Sequence, residues 1–201
     1  MVNYTITELD ISKKGLTELP YDIDKYTNLK TLKCWINCIT SLDNLPPNLE
    51  NLYCYINQLT SLDNLPLKLK ELHCSHNEIT SLDNLPPKLE VLYCDNNQIT
   101  SLDNLPPTLK ELHCTNNKIT NLDNLPPKLE FLYCAYNIIT SLDNLPPTLE
   151  CLNCVNNKIT NLNNLPSTLK ELYCWNNPLK YNFAPTLENI RNYNASRILS
   201  S

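Results

Sequence analysis

Glycine is nearly missing from this 201-residue chain: only Gly15 occurs, where average usage would give roughly 14. Glycine-rich phosphate loops, dinucleotide-binding turns and strained nucleophile elbows each need two or more glycines, so none of them is present. Histidine is almost as scarce. His73, His76 and His113 cannot form an H-E-x-x-H helix or a three-histidine metal site at motif spacing. No 18-residue apolar run exists to span a membrane, and the first twenty residues (MVNYTITELDISKKGLTELP) lack an apolar signal core. No block of five or six like charges occurs, and a net charge of -5 with a pI near 5.2 offers no basic footprint for phosphates. The expectation is a cytoplasmic, reducing location with no nucleic-acid or membrane partner, in which all cysteines are free thiols. The sequons at Asn3 and Asn194 are then read as chance.

What is abundant is repetition. Leu (38) and Asn (31) together make up a third of the chain. The pattern LxxLxCxxNxITxLDNLPPx recurs every 20 residues from Leu29, Leu49, Leu69, Leu89, Leu109, Leu129, Leu149 and Leu169. A divergent first unit precedes it, with Ile6, Leu9, Ile11, Leu16 and Leu19 in the apolar slots and an insertion, YDIDKYTN, that fits one helical turn. Alternating apolar positions in LxxLxC predict a short strand with one buried face. The Pro-Pro pairs, such as Pro86-Pro87 and Pro106-Pro107, cannot sit inside a helix and predict an extended, polyproline-like return leg. Parallel strands about 4.8 Å apart and an equally narrow return leg give shallow curvature. The asparagines at 37, 57, 77, 97, 117, 137, 157 and 177 form one column, expected to satisfy backbone groups at the turn. A lone repeat buries too little to fold, so the repeats must stack as a solenoid.

This pattern resembles a leucine-rich repeat. The 20-residue length with LPP in each turn is similar to the LPX-type subclass of secreted bacterial effectors, and the Asn-rich, Cys-containing repeats also resemble repeat proteins of giant DNA viruses of amoebae. The resemblance implies a β-rich solenoid with parallel strands on its concave face and a protein-binding function. Some bacterial relatives carry a ubiquitin-ligase domain after the repeats; this chain is read as having no room for one. The expected organisation is a divergent cap over 1–28, eight repeats over 29–186, and an incomplete repeat or cap over 187–201. Asn192 falls in a buried slot of the tenth unit, which suits a terminal strand with a wet face; the other reading is a helix over 187–199 with Leu187, Ile190 and Ile198 inward.

Eight cysteines (34, 54, 74, 94, 114, 134, 154, 174) lie in register and are expected to pack as small buried hydrophobes, without disulfides and without metal. Cys151 lies in an outward slot between Phe131 and Glu171, but no base is near enough to activate it. The histidines read as solvated. Asp43, Asp63, Asp83, Asp103, Asp123 and Asp143 form a rim column; calcium is conceivable there, but each Asp is expected to bond the backbone of its own turn. Lys30, Glu50, Lys70, Glu90, Lys110 and Glu130 alternate in sign, a favourable cross-strand arrangement.

The outward slots of the strands carry the variation. Two aromatic clusters are predicted, one of Trp35, Ile36, Tyr53, Tyr55 and Ile56, the other of Phe131, Tyr133, Tyr136, Tyr173 and Trp175. Tyr and Trp dominate binding hot spots. The sequence therefore predicts a non-enzymatic scaffold, without cofactor, that binds a protein on its concave face through these residues. The alternative is a structural protein that packs against its own copies, and a third reading is an enzyme or redox protein using Cys151 or the cysteine column.

Overall fold

The computed structural model describes residues 3–198. Nine three-residue strands form a single parallel sheet in strict chain order: β1 (Glu8–Asp10), β2 (Thr31–Lys33), β3 (Asn51–Tyr53), β4 (Glu71–His73), β5 (Val91–Tyr93), β6 (Glu111–His113), β7 (Phe131–Tyr133), β8 (Cys151–Asn153) and β9 (Glu171–Tyr173). From β2 onward the register advances by 20 residues per strand, as in Leu72↔Leu92 and His73↔Tyr93, so every slot becomes a column. The return legs hold turns and no helix. From Leu49 to Leu169 each leg is tied at its end by a turn in which the leucine that opens the next repeat donates its N–H to the carbonyl of the first proline, as Leu89 does to Pro86 (3.1 Å). The chain is a parallel β-solenoid of about eight turns.

Leucine, isoleucine and cysteine columns fill the interior; Leu89, Leu92, Cys94 and Ile99 are fully buried. Backbone carbonyls between strand and return leg face this core with no sheet to bond them, and the asparagine column meets them. Asn97 Nδ2 donates to the carbonyls of Cys74 (3.1 Å) and Cys94 (3.0 Å), while its Oδ1 accepts from the Ile79 N–H (3.0 Å). The same three bonds recur along the column, so each amide ties its own repeat to the one before it.

Left-handed turns follow from this geometry, and with one glycine the chain uses asparagine for them. Asn44, Asn64, Asn84, Asn104, Asn124 and Asn144 have φ between 59° and 65°, a region that Asn tolerates because its short side chain bonds locally. The rim aspartates support these turns. The carboxylates of Asp43, Asp83, Asp103 and Asp143 accept from the serine hydroxyl two residues earlier, as in Ser81 Oγ to Asp83 Oδ2 (2.6 Å), and the Asp83 N–H returns to Ser81 Oγ (3.0 Å). The second carboxylate oxygen accepts from the next repeat, Asn104 Nδ2 to Asp83 Oδ1 (3.3 Å). The expected carboxylate-to-backbone bond is thus replaced by a serine bridge and a link between repeats.

The ends differ. The N-terminal insertion forms a 3-10 turn, Ile23–Lys25, which buries Ile23 and packs Tyr26 edge-on against Tyr4 at 5.0 Å. At the other end the chain forms a helix, α1 (Leu187–Ile198), not a terminal strand. Asn192 is thereby moved out of the buried slot and is exposed, while Ile190 is fully buried and closes the core. The side chain of Ile198 and all of residue 199 lie outside the described residues.

Candidate functional site

The outward slots of the strands hold a continuous ring stack. Tyr53, His73, Tyr93, His113 and Tyr133 occupy one column, with centroid separations of 4.7, 4.2, 3.9 and 4.2 Å. Glutamates beside the stack fix its edges. Glu71 Oε1 accepts from Tyr53 OH (3.0 Å) and lies 2.6 Å from His73 Nε2; Glu111 Oε1 accepts from Tyr93 OH (2.8 Å) and lies 2.8 Å from His113 Nε2. His73 and His113 are thus sandwiched and carboxylate-bound rather than solvated. Burial, with the neighbouring carboxylate second, raises the Tyr53 and Tyr93 phenols above their usual range; burial raises Tyr133 to about 12.

The adjacent outward column is aromatic only at its ends. Trp35 and Tyr55 stack nearly parallel at 5.3 Å, with Lys13 Nζ 4.5 Å above the indole. Tyr173 and Trp175 meet edge to face at 5.6 Å, and Trp175 is 55% exposed. Between them lies a polar bridge in which Asp95 accepts from the Ser75 hydroxyl (3.3 Å) and the Thr115 N–H (2.8 Å). The second predicted cluster is accordingly divided: Tyr133 ends the ring stack, half-buried Phe131 lies beside it on β7, and Tyr173 with Trp175 forms a separate pair.

Ile36, Ile56 and Tyr136 stand in a third column, one residue past the second. This column is left-handed throughout, with Ile36, Ile56, His76, Asn96, Asn116, Tyr136, Asn156 and Asn176 at φ 50–58°. Four of the eight are asparagine. A β-branched or bulky residue here is a backbone outlier, yet Ile36, Ile56 and Tyr136 are 39%, 41% and 57% exposed. Tyr136 and the exposed Ile138 line a cleft of about 370 Å³ with Asn116, Asn156 and Lys158. Ile138 was not among the predicted residues; its signal is an apolar residue in a slot that holds Gln58, Glu78, Gln98, Lys118 and Lys158.

Nine of the ten thiols are buried. All ten cysteines are free, and the eight in register are buried. Desolvation raises Cys34 to about 12 and lifts Cys54, Cys94, Cys134 and Cys154 well above the usual thiol range. Cys151 is buried too, with Sγ 3.8 Å from Tyr133 OH and 3.8 Å from Glu171 Oε2, and burial raises its pKa. The exposed thiol is Cys38. Among the described residues no group of three or more His, Cys, Asp and Glu is disposed to hold a metal ion, and no helix is long and apolar enough to cross a membrane.

Comparison with known proteins adds to this geometry. A family model described as leucine-rich repeats (two copies) matches residues 67–107 and 107–147. No curated protein sequence matches the chain. Among solved structures, YopM of Yersinia pestis, a leucine-rich effector protein, is 32% identical with a TM-score of 0.77, over 85% of this chain and 48% of its own. The functional domain of InlJ from Listeria monocytogenes, which includes a cysteine ladder, is 40% identical with a TM-score of 0.77, over 89% of this chain and 41% of its own. A Shigella effector repeat domain is 27% identical with a TM-score of 0.66, over 98% of this chain and 77% of its own. The chain spans about half or less of the length of the YopM and InlJ structures.

Proposed function

This chain is a leucine-rich repeat protein of 20-residue repeats, and from that premise we propose that it is a non-enzymatic scaffold whose concave strand face and adjoining left-handed turns bind a protein. One observation carries the reading. Ile36, Ile56 and Tyr136 occupy positive-φ positions where half of the repeats use asparagine, and their side chains lie in solvent. A left-handed conformation costs an ordinary L-residue about 1–2 kcal/mol, and exposed side chains recover little of it by packing. Residues that fold worse than the scaffold's own choice, on a surface flanked by Trp35, Tyr55, Tyr173 and Trp175, fit a binding role. The similarity to Yersinia and Shigella effectors supports an effector-like role, and ten free thiols support a reducing cytoplasmic location.

The test uses this conflict between folding and binding. The triple variant Ile36→Asn, Ile56→Asn, Tyr136→Asn should unfold at higher denaturant than wild type and retain at most about a tenth of the affinity for a partner captured from cytosol. Asp83→Asn with Asp103→Asn on the serine-bridged rim should leave capture unchanged. Undiminished capture by a stabilised triple variant would refute the face; capture lost only with the rim variant would move the site to the aspartates.

A further inference from the structure

The C-terminal cap closes only half of the last repeat. In the interior, each repeat makes three kinds of backbone bond to its successor: the cysteine N–H of the strand, the N–H of the left-handed residue two positions later, and the carbonyl that ends the return leg, as in Cys154 N–H to Tyr173 O (2.8 Å), Asn156 N–H to Trp175 O (3.1 Å), and Glu150 O from the N–H groups of Lys170 (2.7 Å) and Glu171 (3.1 Å). The corresponding groups of the ninth repeat, the Cys174 N–H, Asn176 N–H and Lys170 C=O, have no backbone partner among the described residues, and β9 pairs only with β8. Leu172, two residues before Cys174, turns its N–H and C=O to the same edge, since the strand alternates.

Helix α1 serves the other side. Arg191 Nη2 donates to the carbonyls of Ser167 (3.0 Å) and Leu169 (2.7 Å), the acceptors that Thr168 meets one repeat earlier at Pro147 and Leu149. Asn194 Nδ2 donates to Leu162 O (2.9 Å), and Tyr181 OH accepts from the Leu162 N–H (2.8 Å). The return leg and core are therefore capped, while the strand edge opens on a cleft of about 460 Å³ between β9 and residues 184–187.

Two side chains at this edge show which occupant is missing. Lys170 is 68% exposed and meets Glu150 of the preceding repeat (2.7 Å), as Lys70 and Lys110 meet Glu50 and Glu90, so its outer flank is open. Tyr53 and Tyr93 donate to the glutamate of the following repeat, but Tyr173 turns back to Glu171 of its own strand (3.2 Å). Tyr173 calls for an acidic residue on the next strand, and Lys30, which meets Glu50 of the following repeat at 2.7 Å, shows that a lysine of the Lys170 column takes one as well. We propose that the β9 edge accepts an extended segment of another protein as a tenth parallel strand, with paired acidic residues facing Lys170 and Tyr173 and alternate apolar side chains entering the cleft. Such strand addition takes its affinity from main-chain bonds and its selectivity from alternate side chains. It uses the sheet edge instead of the face proposed above, and the face variants lie in other repeats, so failure of one reading leaves the other standing.

The probe is a synthetic peptide, LEELYSDNN, patterned on residues 89–97 with a second acid and serine in place of the thiol. Binding is read by Trp175 fluorescence in a Trp35→Phe background and by amide shifts at Cys174 and Asn176. We expect saturable binding that weakens at least tenfold when the third and fifth peptide amides, which face β9, are N-methylated, and that survives methylation of the fourth and sixth, which face away. Lysines at the second and third peptide positions should also abolish it. Absence of saturable binding, or equal effects of the two methylation patterns, would overturn the proposal. A concentration-dependent rise in sedimentation coefficient that the peptide reverses would overturn it as well, by assigning the edge to a second copy of the chain.

Discussion

Mild alkali should unfold this protein through its thiols. Eight cysteines stand in one buried column, and desolvation holds them protonated, Cys174 up to about 11 and Cys34 up to about 12. In the unfolded chain the same thiols ionise near their ordinary value of 9.0. Their folded pKa is raised, so the stabilisation is complete below pH 9, where neither state ionises, and is lost as pH rises above it, because only the unfolded chain gives up protons. Each thiol then contributes about 1.4 kcal/mol per pH unit. At pH 10 eight of them remove about 11 kcal/mol, comparable to the whole stability of about 5–15 kcal/mol typical of a folded domain. The raised phenols of Tyr53, Tyr93 and Tyr133 act in the same direction above pH 10. The assay is urea unfolding followed by circular dichroism from pH 8 to 10.5 under a phosphine reductant. The midpoint should fall steeply above pH 9, and Cys74→Ala with Cys94→Ala and Cys114→Ala should remove about 4 kcal/mol per pH unit of that slope. A slope equivalent to fewer than about two protons would refute the reasoning.

Other outcomes follow from the ladders and the surface. Asn97→Ala strands the carbonyls of Cys74 and Cys94 and the Ile79 N–H; it should cost at least about 2 kcal/mol, against about 1 kcal/mol for the left-handed Asn96→Ala, and equal urea midpoints would remove the ladder from the account. Glu50 is lowered from 4.5 to about 2, first by its bonds to Lys30 and Lys70, so its contribution is present above pH 4.5 and lost as pH falls towards 2; Glu50→Gln should flatten the acid limb of the stability curve, and the difference should shrink in 1 M salt. A maleimide should label Cys38 first and to one equivalent, with Cys151 as slow as Cys94; rapid labelling of Cys151 would contradict its burial.

Everything controlled by the 20-residue period was legible, because period alone decides which side chains share a column. The interior leucines, the Asn97 class of ladder residues and the buried thiols needed no knowledge of partners. What escaped depended on neighbours in space. The alternation of Tyr and His in one column is legible, but the bonds from Glu71 and Glu111 to the histidines two residues on depend on side-chain directions that periodicity does not give, so the sequence predicts His73 as solvated. Cys151 occupies an outward slot, and its burial comes from packing beside Phe131 and Tyr133. The terminal helix followed a periodicity in Leu187 and Ile190 that competed with an imperfect tenth repeat; placing Asn192 in water decided it. Of the face residues, Trp35 and Tyr55 were grouped as they pack. Tyr136 was not, because a left-handed turn carries it away from Tyr133.

The columns also make length a free variable. Since each ladder bond joins equivalent residues one repeat apart, removing or duplicating a 20-residue unit such as 89–108 leaves the asparagine, leucine and cysteine columns continuous and alters the strand face by about 4.8 Å, with only the surface columns changing neighbours. The array then works as a ruler: the distance between the Trp35 and Trp175 ends is set by counting units, and can be lengthened or shortened without redesigning the core. The same interchangeability means that an unfolded chain can pair one unit out of frame at little local cost, so only the unlike ends, Ile23 with Tyr26 and Ile190 with Arg191, give the count a fixed origin.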